Sequence, residues 1–301
     1  MSLLVVGSIA FDNIITPLTE VKNSLGGSTT YISVAASHFT DKVAIVGVVG
    51  TDFGEENINI FKKHNIDITG LEIVPNGKTF FWAGKYHNDF NNRDSLATEL
   101  NVFANFNPII PEHLKKSSVV VLGNIDPVLQ ERVLNQLTEP KFIICDTMNY
   151  WIESRLNELL KILPRIDVLI INDSEARLLA NEFNLIKAAK KILTYGPNYL
   201  VIKRGEHGAS LFSRDQIFVA PAFPVENLVD PTGAGDTFAG GFAGFLYRKN
   251  DFGFDNLRRA VVYGSAMASF CVEEFSIKGI DNLTYEEIKY RYKKFVDISS
   301  F

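Results

Sequence analysis

The stretch Asp230-Pro-Thr-Gly-Ala-Gly-Asp236-Thr-Phe-Ala-Gly-Gly-Phe-Ala243 holds residues suited to handling an oxyanion. Gly233, Ala234 and Gly235 let backbone N–H groups turn toward one point without side-chain obstruction, and Asp236 follows at once. Residues 237–248 read as a helix. The loop would then sit at a helix N-terminus, where free N–H groups and the dipole favour negative charge. An isolated Asp in this place is an N-cap and nothing more. Gly240, Gly241 and Gly244 point further, because each glycine inside a helix costs about 1 kcal/mol relative to alanine. A helix this thin is expected to start close against a sheet and a ligand.

Two upstream segments offer matching chemistry. Asn172-Asp-Ser-Glu175 follows an apolar strand and puts Asn172 and Glu175 one helical turn apart. The pair could hold Mg2+ through water, since that ion keeps much of its hydration. It is equally close to a capping box. Lys203-Arg-Gly205-Glu-His-Gly208 ends another strand in a glycine-rich turn before a short hairpin, a place where a nucleotide could cross the sheet edge. Near the start of the chain, Leu25-Gly26-Gly27-Ser-Thr-Thr-Tyr31 is a second glycine-rich turn leading into a helix. There is no G-x-x-x-x-G-K-[ST] and no G-x-G-x-x-G after the first strand, which argues against a Walker-type NTPase and a nicotinamide dehydrogenase.

The elements that must position these residues alternate. Apolar runs at 3–7 and 43–49 read as buried parallel strands, and 56–65 as an amphipathic helix. From 118 onward, strands at 119–122, 142–145, 168–171 and 200–203 alternate with helices near 127–138, 152–163, 173–182 and 185–195. Such alternation builds a mostly parallel sheet covered on both faces, with ligands beyond the strand C-termini. Between about 70 and 110 the character changes. Segments 78–86 and 95–103 are β-prone and aromatic around a polar turn at 88–93, and read as an inserted hairpin or lid. Its Phe80, Phe81, Trp82 and Tyr86 must pack on the main body, a second subunit or a ligand, because a lone hairpin is marginal.

The 301 residues, 46% hydrophobic and 22% charged, have ordinary globular composition. A net charge of −5 without a dense Lys/Arg run argues against nucleic acid or an anionic membrane as main partner. No apolar run reaches membrane-spanning length, and the first residues lack the form of a signal peptide. Cys145 and Cys271 sit in apolar segments as reduced thiols would, which fits a cytoplasmic protein. His38, His64, His87, His113 and His207 show no metal-ligand spacing and are expected mostly at the surface.

Taken together, the Asp230–Gly241 motif, the Asn172-x-x-Glu175 pair and the 205–208 turn resemble the ribokinase-like (PfkB) carbohydrate kinase family over nearly the whole chain. The resemblance implies an α/β fold with a mostly parallel central sheet, helices on both faces and a small β lid. Residues 1–301 would form one domain, with the lid drawn from about 10–30 and 72–106. It implies ATP-dependent phosphorylation of a hydroxyl on a small sugar, sugar phosphate or polyol, with Asp236 as base and Gly233, Ala234 and Gly235 as anion hole. Asp12, Gly26 and Gly27 would hold the acceptor, and Lys203, Gly205 and Gly208 the nucleotide. Asn172 and Glu175 would serve Mg2+, and Asp230 and Thr232 a monovalent cation such as K+. The chain departs from ribokinase-type members at Tyr31, where they carry Asn, which removes ribose as the default acceptor. A nucleoside kinase of the same family, with lid aromatics stacking on a base, is the alternative, followed by a non-catalytic sugar- or nucleotide-binding regulator. A homodimer through the lid is compatible with each.

Overall fold

A computed structural model describes residues 2–90 and 92–300. Met1, Phe301 and Asn91, which belongs to the polar turn at 88–93, lie outside the described residues. The strands are β1 (Leu3–Val6), β2 (Ala10–Ile15), β3 (Glu20–Gly26), β4 (Val43–Gly50), β5 (Asp67–Val74), β6 (Phe80–Tyr86), β7 (Arg93–Glu99), β8 (Val119–Leu122), β9 (Phe142–Asp146), β10 (Val168–Asn172), β11 (Tyr199–Lys203), β12 (Ala209–Phe212) and β13 (Ile217–Ala220). The helices are α1 (Ser28–Ser37), α2 (Gly54–Lys63), α3 (Pro127–Leu134), α4 (Asn149–Ser154), α5 (Leu156–Ile162), α6 (Asp173–Ala180), α7 (Leu185–Leu193), α8 (Ala234–Lys249), α9 (Phe254–Cys271), α10 (Lys278–Asp281) and α11 (Tyr285–Ser299).

Nine strands form one sheet in the order β13-β12-β11-β10-β9-β8-β1-β4-β5. From β11 to β5 every neighbour is parallel, and the β12–β13 hairpin adds an antiparallel edge. The near-continuous apolar runs follow from burial on both faces. Along β1, Leu3 and Val5 join the core beneath α1, α8 and α9, while Leu4 and Val6 join the core beneath α3 to α7. The same alternation runs through β8 to β11. Cys145 and Cys271 are buried free thiols, and burial is the main cause pushing both above their ordinary range.

A second sheet of four strands has the order β3-β2-β6-β7. The expected hairpin is part of it, with two adjustments. Arg93 is already strand, and 101–105 is a 3-10 turn that packs Phe103 between Phe80 and Phe106. Strand β2 runs parallel to β6, which pairs Asp12 with Trp82 and Ile14 with Gly84. Parallel partners in register share a face, so Asp12, Trp82, Gly84 and Tyr86 line one side of this sheet. Across the antiparallel β6–β7 pairs, Thr98, Ser95 and Arg93 lie on that side too.

Two of the scattered histidines meet. His38 and His64 stack edge to face at 5.5 Å, and His64 bridges Ser37 Oγ and Asp281 at 2.9 and 3.0 Å. Burial, then the facing His64, lowers His38 to about 4, so this His is neutral at pH 7.

The glycines of α8 serve helix packing rather than the sheet. A Cβ on Gly240 would collide with Ile32 O and stand 2.7 Å from Ala35 Cβ, and one on Gly244 would stand 2.8 Å from the Phe39 ring. Gly241 faces Met267 of α9 instead, at 2.7 Å. Gly240→Ala should therefore destabilise the protein by about 1–3 kcal/mol, overpacking outweighing the gain in helix propensity. The urea midpoint reads this out, and an increase would mean that α1 and α8 are not in backbone contact.

Candidate active site

Both glycine-rich turns open helices that lie side by side. Gly27, at φ 89°, is the residue before α1, and a Cβ there would stand 2.6–2.8 Å from the backbone of Ser8, Ile9 and Ala10. Thr29 N–H bonds Ser8 O at 2.9 Å across this contact. Gly26 leaves room for the carboxylate of Asp12, which a Cβ would strike. Asp12 is 5% exposed. Burial, reinforced by the charges of Asp230 and Asp236, raises it to about 8, against the opposing influence of Arg93.

The loop before α8 differs from the expected cap. Gly233, at φ 75°, is the residue that caps α8, and the helix starts at Ala234, so Asp236 stands in its first turn with a backbone-only cap before it. Ala234 N–H turns back to Pro231 O at 3.2 Å, and Thr237 N–H closes on Gly233 O at 2.8 Å. The N–H groups of Gly235 and Asp236, in the first turn, have no intrahelical acceptor and are the ones placed to meet an anion. Tyr31 fills the space beneath Gly233, whose Cβ would strike the phenol ring. The Tyr31 ring is 1% exposed, and among the described residues its hydroxyl has no hydrogen-bond partner.

Charge at this end of the sheet is unevenly supplied. Asp146, Glu175 and Asp236 gather near one ammonium, that of Lys203, which lies 3.9 Å from Asp146 Oδ1 and 2.8 Å from where a Cβ on Gly235 would stand. Burial alone would lower Lys203, but the acids Asp146, Glu175 and Asp236 outweigh it and the net shift is upward. Asp236 rises to about 7, mainly through burial and then the charge of Asp146, with Lys203 opposing. Glu175 also rises to about 7 through burial. The dipole at the helix start, which favours an ionised carboxylate, is thus outweighed at Asp236.

Asn172 and Glu175 form a complete capping box. Asn172 Oδ1 accepts from Glu175 N–H at 2.8 Å, and Glu175 Oε2 accepts from Asn172 N–H at 2.7 Å. Gly205 and Gly208 have φ of 53° and 84°. A Cβ on Gly208 would strike Ala220 O, so this turn requires glycine to lie against the end of β13. Asp230 is fully buried, its Oδ1 accepting from Thr232 N–H at 2.9 Å and its Oδ2 without a hydrogen-bond partner among the described residues. Among the described residues no three His, Cys, Asp or Glu side chains group as a direct metal cage.

Contacts that the sequence did not specify complete the site. Thr232 Oγ1 donates to Tyr86 Oη at 3.1 Å, tying the small sheet to the loop before α8. Arg93 lies 5.5 Å over Trp82 and 6.0 Å over Tyr86, and its charge reaches Asp12, Glu175 and Asp236. Trp82 packs against Gly84, where a Cβ would strike the indole, and its Nε1 donates to Ser95 Oγ at 3.2 Å. Period-two alternation from Tyr86 through the register of β7 was the available signal for Arg93. Asp146 ends a strand, the same signal that singled out Asn172 and Lys203. In the neighbouring segment Asp126 caps α3 and pairs with Arg155 at 3.6 Å, and Asn124 Oδ1 accepts from Trp151 Nε1 at 3.0 Å.

A chain that sets such a loop at the carboxyl edge of such a sheet falls among the kinases of small hydroxylated molecules. It belongs to the pfkB family of carbohydrate kinases, whose family model matches residues 2–280. It is similar to the cytidine kinase of Thermococcus kodakarensis, 31% identical over 247 residues that cover 80% of this chain and 87% of that protein. The 5-dehydro-2-deoxygluconokinase of Clostridium perfringens is 28% identical over 321 residues, covering 96% of this chain and 92% of its own. In fold it resembles the nucleoside kinase of Methanocaldococcus jannaschii, with TM-score 0.77, 21% identity and coverage of 98% and 99%. It likewise resembles a putative ribokinase II from E. coli solved with ATP and Mg2+, with TM-score 0.81, 20% identity and coverage of 97% and 99%.

The unpartnered Tyr31 hydroxyl generates a stability test. Tyr31→Phe removes a buried polar group that gains nothing from the fold, so it should leave stability unchanged or raise it by up to about 1 kcal/mol. A loss of more than about 1 kcal/mol in urea titrations would mean that the hydroxyl has a partner in solution.

Proposed function

We propose that this kinase transfers the γ-phosphoryl group of ATP to a hydroxyl of a small sugar, sugar phosphate or polyol, with Asp236 as the base. The observation that carries the reading is Asp236 itself: a partly exposed carboxylate in the first turn of α8, raised to about 7 and near enough to Asp12 for its charge to raise that carboxyl too. A base works best with a pKa near the operating pH. In this scheme Asp12 grips acceptor hydroxyls, Asp236 takes the proton as the O–P bond forms, and the loop Gly233, Ala234 and Gly235 presents the free N–H groups of Gly235 and Asp236, rather than the committed one of Ala234, to the negative charge on the transferred group. Lys203, with the Gly205 to Gly208 turn, holds the nucleotide phosphates. Water, rather than a direct bond, would link Asn172 and Glu175 to Mg2+, which fits a Glu175 carboxylate with one oxygen committed to the cap and an excess of buried acids over ammonium. When bound, Mg2+ neutralises phosphate charge. The unpartnered Asp230 Oδ2 beside Thr232 fits a monovalent cation such as K+.

One observation favours a nucleoside acceptor as the second reading. Trp82 packs against Gly84 in register with Asp12, an aromatic surface on which a planar base could stack. The relative from Thermococcus kodakarensis is itself a cytidine kinase. An ATP-consumption screen over pentoses, hexoses, hexose phosphates, inositols and nucleosides separates the two readings. If the nucleosides prevail, Trp82→Ala should raise their KM about tenfold, the loss of about 1–2 kcal/mol of stacking.

Asp236→Asn should lower kcat by about 10²–10⁴ with little change in KM for ATP. A protonated Asp236 cannot take the acceptor proton, so kcat/KM of the unmodified enzyme should fall as pH drops below about 7 and level off above it. An unchanged kcat in the Asn variant removes Asp236 from this role.

A further inference from the structure

Asp146 has no task in the transfer scheme, yet it is 6% exposed and held with care. Its Oδ1 accepts from Thr147 N–H at 2.9 Å, and Gln130 Nε2 donates to the carbonyls of both Gly123 and Asp146, each at 2.9 Å. Keeping an ionised carboxylate in such a place costs several kcal/mol unless it is paired. Its partner is Lys203. Strand β10 stands between β9 and β11, with Ile170 in register with Asp146 and Asn172 in register with Lys203. The two side chains therefore meet over the end of β10, 3.9 Å apart.

What makes this pairing informative is where it leaves the ammonium. Lys203 Nζ rests against Gly235, at the amides that begin α8. Among the described residues its salt bridge is to Asp146 and to neither Glu175 nor Asp236. A lysine is a point charge on a flexible four-carbon stem, and without a fixed partner it would turn to whichever acid is nearest. Pairing with Asp236 would cover the oxygen that must receive the acceptor proton. We propose that Asp146 is a positioning residue: its carboxylate stations the Lys203 ammonium at the Gly235 loop, facing the transferred phosphoryl group and out of an ion pair with the base.

The inference rests on the transfer scheme, and a double-mutant cycle keeps the two distinguishable. Asp146→Asn, Lys203→Met and the double variant are assayed for kcat, KM for ATP and thermal melting. Asp146→Ser is made alongside, so that one folded variant suffices. The amide keeps an acceptor for Thr147 N–H, so Asp146→Asn should melt no earlier than the parent while kcat falls about 10- to 100-fold, the scale of a misplaced reacting group. In the Lys203→Met background the same change should cost less than about twofold, because the two residues act as one. Independent, multiplying losses would overturn the inference, as would a fully active Asp146→Asn beside an impaired Lys203→Met. Full activity of Lys203→Met would refute the role of Lys203 in the transfer scheme, and the inference with it.

Discussion

The closeness of α1 and α8 sets the scale of the whole site. Gly240 and Gly244 bring the two helices into backbone contact, and Tyr31 of α1 lies under Gly233 at the start of α8. Each helix begins in one of the glycine-rich turns, so the spacing between the Asp12 pocket and the Asp236 loop is fixed by main chain rather than by adaptable side chains. This explains why about 3 kcal/mol of helix propensity can be given up in α8. It also explains Tyr31. A large ring is what fills the gap left where the helix start carries no Cβ, and its size rather than its hydroxyl is what the packing uses.

Around that frame the electrostatics are held short of cations. Two buried acids, Asp146 and Glu175, and the partly exposed Asp236 gather near one ammonium, and a fourth acid, Asp12, rises to about 8. A fold optimised for stability alone would not leave such a deficit, because each unpaired buried carboxylate is costly. Arg93, reaching over from the small sheet, supplies part of the missing balance. The Thr232–Tyr86 hydrogen bond joins the two halves of that site, so the position of the small sheet and that of the loop before α8 are linked.

How far the sequence carried depends on the range of the interaction. Strands buried on both faces wrote themselves as continuous apolar runs, and helices as local periodicity, so the parallel sheet and its order of elements could be read. The Asp230–Gly241 stretch could be read because its rules are broken within one segment. What escaped was non-local. Nothing near Asp146 says that Lys203, 57 residues on, will face it, since that follows from β10 lying between their strands. Arg93 looked like part of a polar turn because its strand register, opposite Tyr86, is set only by pairing. The glycines of α8 were expected to bring the helix start against a sheet and a ligand, whereas Gly240, Gly241 and Gly244 lie against α1 and α9. At Asn172 and Glu175 both readings survive, because a side chain can cap a helix with one oxygen and keep another for solvent-borne ions.

The aromatic surface of Trp82 has a consequence for how this molecule can be observed. The chain has two tryptophans. Trp151 lies away on α4, its indole N–H committed to Asn124 and its ring set against Tyr150. Trp82 instead shares a sheet face with Asp12, with the Arg93 guanidinium 5.5 Å from its ring. Indole emission is sensitive to a nearby charge, so in a Trp151→Phe background any displacement of Arg93 relative to Trp82 would register optically, without a label.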